Sequence, residues 1–142
     1  MNENNTNVYP SYTTIQEAAL VLLRLIVGAI FLYAGYAKLM FWSGAPAGMP
    51  MPSAMVHLMQ FLSIAELLGG VALIIGFLTR WAAAGLAIIM VGAVFFVRFV
   101  GHAGWFTSQQ GSGVDYVLLI LAGCIVLTAF EAGRWSVDAM RK

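Results

Sequence analysis

The chain has 142 residues, of which 61% are apolar and 9% are charged, and its formal net charge is +1. Soluble globular domains contain roughly 45–50% apolar and about 25% charged residues, so this composition excludes a soluble domain and predicts an integral membrane protein. The small net charge also excludes the basic surface that nucleic-acid binding requires.

The first predicted elements are a polar tail and one membrane-crossing helix. Residues 1–17 are rich in Asn and Thr and lack the basic and small-residue segments of a secretory signal, so we expect them to remain as a tail. The apolar run 18–41 predicts the first span. It contains Arg24 and Lys38, which lie roughly 21 Å apart along a helix axis and can therefore reach opposite faces of the bilayer. Arg24 is either a snorkelling anchor or the partner of a buried acid.

A loop rich in Pro and Gly separates the first span from the second and prevents one continuous helix. Sulfur and imidazole side chains cluster in this loop and at the start of the second predicted span: Met49, Met51, Met55, His57 and Met59. Thioethers with an imidazole can bind Cu(I), whereas methionines also fill gaps against lipid and neighbouring helices. Both interpretations stay open, and no metal-ligand set is predicted.

The second predicted span, residues 55–78, contains Glu66, which lies about 18 Å from the Leu78 end and so near the bilayer midplane. A lone carboxylate in hydrocarbon costs several kcal/mol unless it is paired, protonated or facing water. Gly69, Gly70 and Gly76 make one side of this helix narrow, so another helix can approach it closely. Glu66 is therefore the first candidate functional residue.

Two further spans are predicted over residues 81–100 and 114–130, joined by a polar loop. Arg98 and Asp115 fall at about the same depth if the two helices are neighbours, so we expect them to form an ion pair. Cys124 is the only cysteine, which excludes an internal disulfide and a CxxC thiol-exchange pair.

The spans combine into an all-α, integral membrane four-transmembrane-helix bundle, with one domain over residues 18–131 and a C-terminal tail over residues 132–142. Basic residues collect at the Arg80 turn and in this tail, so the positive-inside rule predicts cytoplasmic termini. Each of the four tryptophans falls at a predicted span boundary, two at each face, as interfacial anchors do: Trp42, Trp81, Trp105 and Trp135.

The ionisable residues predict either a packing network or a ligand site. Glu66 is within reach of Arg98 or Arg24. In the first interpretation, this ion-pair network has no role beyond specifying how the helices pack. Alternatively, a pocket opens outward, bordered by Trp42, Tyr36, Trp105 and Tyr116, and suits a flat, apolar, carbonyl-bearing molecule. In that interpretation the catalytic candidates are Glu66, His102 and Asp115. The binding candidates are Arg24, Lys38, Arg98, Trp42, Trp105 and Tyr116.

Several motifs resemble the DoxX family of small four-helix membrane proteins over about Leu20 to Asp138. They are LLRLIVGAIFLYAGYAKL, AELLGGVALIIGFLTRWAAAGLAIIM, His102 with Trp105-Phe106, DYVLLILAGCIVL and GRWSVD. The resemblance implies the four-helix fold and functional positions at Arg24, Lys38, Glu66, Arg80, His102 and Asp115. The family includes proteins similar to the small subunit of thiosulfate:quinone oxidoreductase and parts of membrane-associated oxidoreductase assemblies.

Three functions follow as hypotheses for a protein of the bacterial or archaeal plasma membrane. The first is a quinone-linked subunit of an oxidoreductase assembly. The chain carries no flavin, haem or iron–sulfur motif, so a partner subunit or the substrate would donate the electrons. The second is a non-catalytic accessory subunit of a larger bioenergetic complex, docked through small residues of the second or third span. The third is a small proton-coupled transporter that uses Glu66.

Overall fold

The computed structural model describes residues 13–48, 50–108, 111, 113–130 and 133–140. These residues form four long helices and one short one, which confirms the predicted all-α membrane bundle. The helices are α1 (Thr14–Lys38), α2 (Ser53–Ile75), α3 (Thr79–Phe95), α4 (Val114–Phe130) and α5 (Val137–Met140). A 3₁₀ turn, Leu39–Ser43, extends α1, and a π-helical turn, Phe96–Val100, extends α3.

Three of the described helical stretches are long and apolar enough to cross a membrane, namely Thr14–Ser43, Ser53–Ile75 and Thr79–Val100. The fourth helix, α4, has 17 residues and is about 26 Å long, slightly shorter than a typical hydrocarbon core. Large apolar side chains such as Leu68, Phe99 and Leu119 are exposed along the outside of the bundle. Contact with lipid accounts for this exposure.

Helix α1 begins before the predicted start of the first span because a capping box sets its first turn. The Thr13 hydroxyl accepts a hydrogen bond from the Gln16 backbone N–H at 3.4 Å, and the Gln16 side chain accepts one from the Thr13 N–H at 2.9 Å. These bonds satisfy amides that would otherwise lack helical partners. The last residues of the predicted tail are therefore helical.

Glycines allow α1 and α2 to pack with their backbones nearly in contact. A Cβ atom built at Gly28 would lie 2.9 Å from the Gly70 carbonyl oxygen, and one built at Gly35 would lie 2.9 Å from the Ser63 carbonyl oxygen. Gly69 instead faces α3, where a Cβ would lie 2.9 Å from Leu86. The small residues of α2 thus serve two different neighbours.

The C-terminal segment 133–140 folds back against the end of the bundle where α1 begins. The Asp138 N–H donates to the Gly76 carbonyl at 2.9 Å, and the Arg134 N–H donates to the Glu17 carboxylate at 2.7 Å. We call this the inner end, because the positive-inside rule predicts that it faces the cytoplasm. The opposite end, where α1 and α3 finish, is the outer end.

Candidate functional site

A cavity of about 890 Å³ lies between the four long helices in the outer half of the bundle. Its walls are almost entirely apolar, and the polar exceptions among its described lining residues are Tyr33, Lys38, Glu66 and Tyr116. Helices α1 and α2 contribute the two charged residues, whereas α3 contributes small and apolar residues such as Gly92 and Ala93. The cavity is large enough for a small organic ligand and presents one charged spot on its wall.

That charged spot is an ion pair between Lys38 and Glu66. The Lys38 Nζ lies 2.7 Å from Glu66 Oε2 and also donates to the Ala34 carbonyl oxygen at 3.3 Å. Glu66 is 2% exposed and the Lys38 side chain 24% exposed, so the pair is desolvated on the carboxylate side. Because the pair is buried, each charge is compensated by the other, and loss of either would leave an uncompensated buried charge.

The expectation that Glu66 reaches Arg98 or Arg24 was therefore wrong. Side chains on a helix tilt toward its N-terminus, which for α1 is the inner end. Lys38 consequently bends into the membrane toward Glu66 instead of snorkelling out. The close approach of α1 to α2 at Gly35 brings the two residues within reach.

A chain of hydrogen bonds holds the turn after Lys38 against α2. The Trp42 indole N–H donates to the Ser63 hydroxyl at 3.0 Å, and that hydroxyl donates to the Gln60 carbonyl at 2.7 Å. The Gln60 amide donates to the Phe41 carbonyl at 3.0 Å. Trp42 is thus a brace and does not line the cavity. Sequence reasoning missed Ser63, although its position three residues before Glu66 places it on the same helix face.

The predicted ion pair between Arg98 and Asp115 was also wrong. The Asp115 carboxylate accepts hydrogen bonds from the Thr107 N–H at 2.9 Å, the Thr107 hydroxyl at 2.8 Å and the Tyr116 N–H at 2.9 Å. The loop before α4 folds back on the helix start, which brings Thr107 beside Asp115. The Arg98 guanidinium instead lies 5.4 Å from the ring centroid of Trp105, a cation–π contact.

Most of the other predicted site residues lie away from the cavity. Tyr36, His102 and Trp105 are exposed and do not line it. His102 has a φ of 50° in the loop after α3. Of the nine predicted site residues, the structure brings Lys38, Glu66 and Tyr116 together at the cavity.

Arg24 lies at the inner end, far from Glu66. It is 3% exposed, and its guanidinium donates to the Trp135 carbonyl oxygen at 3.1 Å. A Cβ built at Gly76 would lie 3.1 Å from that guanidinium, so glycine leaves the space that Arg24 occupies. Arg24 is therefore part of the contact between α1, the end of α2 and the C-terminal segment.

The sulfur and imidazole cluster is divided between different environments. Met59 lines the cavity, and His57 shares a hydrogen bond with Gln60 at 3.2 Å. Met49 lies outside the described residues. Met59 and His57 therefore make different contacts: Met59 borders the cavity, and His57 hydrogen-bonds to Gln60.

A second concavity, of about 700 Å³, runs along the outside of α2 and α3. Apolar and small residues line it, including Gly69, Ala72 and Gly85. A Cβ built at Gly85 would meet nothing within 4 Å. This groove is an open apolar surface at the level of the lipid chains.

Comparison with known proteins places the chain among membrane proteins. The DoxX family profile matches residues 19–99. The "Uncharacterized membrane protein Rv3486" of Mycobacterium tuberculosis is 30% identical over 91% of this chain and 87% of its own length. The "Inner membrane protein YqjF" of Escherichia coli is 21% identical over 89% of this chain and 94% of its own. No solved structure matches. The profile covers more than half of the chain, including both Lys38 and Glu66, and the chain therefore belongs to the DoxX family.

Proposed function

We propose that this chain is a quinone-binding subunit of an oxidoreductase assembly in the plasma membrane of a bacterium or archaeon. The observation that carries the proposal is the Lys38–Glu66 ion pair on the wall of an otherwise apolar cavity of about 890 Å³. A quinone combines a flat apolar ring with carbonyl oxygens. The ring suits the apolar walls, and the Lys38 ammonium is a hydrogen-bond donor for a carbonyl oxygen.

The same pair suits the proton chemistry of a quinone. Reduction to the quinol takes up two electrons and two protons, and the protons arrive at the carbonyl oxygens that Lys38 would contact. Lys38 and Glu66 can pass a proton between them across their 2.7 Å contact. The electrons come from a reduced partner subunit or substrate, since the chain carries no flavin, haem or iron–sulfur motif. His102 and Asp115, which lie outside the cavity lining, have no part in this proposal.

Two glycines of α3 allow a matched test. Gly92 lines the cavity and Gly85 lines the lipid-side groove, and a Cβ at either position would meet nothing within 4 Å. We expect Gly92→Leu to weaken binding of a decyl-substituted benzoquinone by about tenfold or more, because the leucine fills cavity space. Gly85→Leu should bind as the wild type does.

Binding is measured by titration calorimetry on the purified chain in nanodiscs, corrected for uptake of the quinone by empty nanodiscs. Equal binding by the Gly92→Leu and Gly85→Leu variants would contradict the assignment of the cavity. No binding by the wild-type chain above that of empty discs would contradict quinone binding itself.

The groove on α2 and α3 favours a second candidate, a non-catalytic accessory subunit that docks another membrane protein. Small residues at Ala72 and Gly85 would let a partner helix approach closely. In this case Gly85→Leu should release partner subunits during gentle purification, followed by mass spectrometry, and Gly92→Leu should retain them. The same two variants therefore separate the two functions.

A further inference from the structure

The Lys38 ammonium has an unused hydrogen-bond donor at the cavity. An ammonium carries three N–H donors. Two contact the Ala34 carbonyl oxygen, at 3.3 Å, and Glu66 Oε2, at 2.7 Å. Within the described residues the third makes no hydrogen bond, and Lys38 lines the cavity. A ligand there can accept this bond.

The Glu66 carboxylate has an unused acceptor beside it. Its Oε2 atom binds Lys38, whereas Oε1 accepts no hydrogen bond from the described part of the chain. Oε1 is not completely enclosed by the described part of the bundle. Glu66 also lines the cavity. The carboxylate that carries this unused acceptor therefore borders the same cavity as the lysine donor.

From this adjacent donor and acceptor we infer that the site prefers the quinol over the quinone, an inference that rests on the proposed function. A quinone oxygen can only accept, so it uses Lys38 and leaves Glu66 Oε1 unpaired. A quinol hydroxyl accepts from Lys38 and donates to Glu66 Oε1 at the same time. Hydrogen bonds to charged acceptors in a low-dielectric site are the strong ones, so the second bond should favour the quinol about tenfold or more.

The test compares three ligands with the same decyl tail on the wild-type chain in nanodiscs: the hydroquinone under anaerobic conditions, the benzoquinone and the hydroquinone dimethyl ether. Empty nanodiscs again correct for partitioning into lipid. We expect the hydroquinone to bind about tenfold tighter than the benzoquinone, and the ether to bind no tighter than the benzoquinone because it has no donor. A tenfold preference also raises the midpoint potential of the bound couple by about 30 mV, which redox titration measures.

Two variants assign the preference to Glu66. Glu66→Gln removes the charged acceptor, and the ratio of the two dissociation constants should fall close to one. The double variant Tyr33→Phe and Tyr116→Phe removes the hydroxyl groups of the described lining residues and should keep the ratio. The ligand comparison on the wild-type chain decides the question even if Glu66→Gln fails to fold.

The outcomes separate this inference from the proposed function. Equal binding of quinol and quinone by the wild-type chain would overturn the preference and leave quinone binding intact. A preference that survives in Glu66→Gln but disappears in the tyrosine double variant would overturn the role of Glu66. Binding of neither ligand above empty nanodiscs would overturn both the inference and the proposed function.

Discussion

Glu66 can remain charged inside the bundle because Lys38 reaches it from the neighbouring helix. The two side chains meet at 2.7 Å, with the carboxylate 2% exposed. Removing one member of a buried pair leaves the other charge without compensation, and this costs more than the intact pair contributes. The side chains that line the cavity beside the pair are mostly apolar, so they cannot supply a new countercharge.

We expect Lys38→Met to destabilise the bundle by about 3 kcal/mol, because it leaves Glu66 buried without a countercharge. The double variant Lys38→Met with Glu66→Gln should recover most of this loss. Thermal unfolding in a mild detergent measures both. Arg98→Met is the matched control, since Arg98 makes a cation–π contact with Trp105, and its loss should cost less than about 1 kcal/mol. A Lys38→Met variant as stable as the wild type would contradict the buried-pair argument.

Helix α3 depends on a distant residue for its N-terminal cap. The preceding residue, Leu78, has a φ of 47° and provides no side-chain cap. The carboxylate of Asp138 instead accepts from the Leu78 N–H at 2.7 Å and from the Thr79 N–H at 2.9 Å. A negative charge at a helix N-terminus also interacts favourably with the helix dipole. The last residue of the GRWSVD motif, Asp138, therefore lies in α5 and caps the start of α3.

We expect Asp138→Ala to destabilise the protein by about 1–2 kcal/mol through loss of this cap. Asp138→Asn keeps one carbonyl acceptor and should lie between Asp138→Ala and the wild type. Hydrogen exchange at the Leu78 and Thr79 amides should accelerate in both variants. Met140→Ala in the same short helix is the control, since Met140 is 79% exposed, and unchanged exchange in Asp138→Ala would rule out the cap.

The two ends of the whole bundle are built differently. At the inner end, the segment 133–140 contacts α1 through Glu17 and Arg24 and caps α3 through Asp138. At the outer end, the Trp42–Ser63 hydrogen bond holds α1 to α2, and the cavity opens between these two helices and the pair α3 and α4. Tyr33 and Tyr116 at its lining are 76% and 49% exposed. The bundle is therefore tied together at one end and leaves space for a ligand at the other.

The orientation of these ends is a prediction at the scale of the whole molecule. The positive-inside rule predicts that segment 133–140 faces the cytoplasm. Single cysteines at Ser43, at the outer end, and at Met140 can be labelled with a membrane-impermeant maleimide on intact cells. Ser43→Cys should react from outside, and Met140→Cys should react only after the membrane is opened. Cys124 is fully buried and should stay unlabelled. The reverse pattern would show the opposite topology.

By itself, the sequence determined the membrane environment, the helical architecture and the need for a partner to compensate the Glu66 carboxylate. Long apolar runs can satisfy their backbone polar groups in lipid only as helices, so hydropathy is enough to locate them. A single carboxylate in such a run requires compensation wherever the helix packs, so Glu66 could be identified without a structure.

Only the tertiary structure decided which groups compensate one another. Helices that are apolar on all sides carry little information about their rotation, so the sequence could not show that α2 turns Glu66 toward Lys38 instead of Arg98 or Arg24. Asp115 binds Thr107 because a loop folds back on α4, and Asp138 caps α3 because the C-terminal segment returns to the bundle. Such contacts depend on how loops close and helices rotate, which local sequence patterns do not specify.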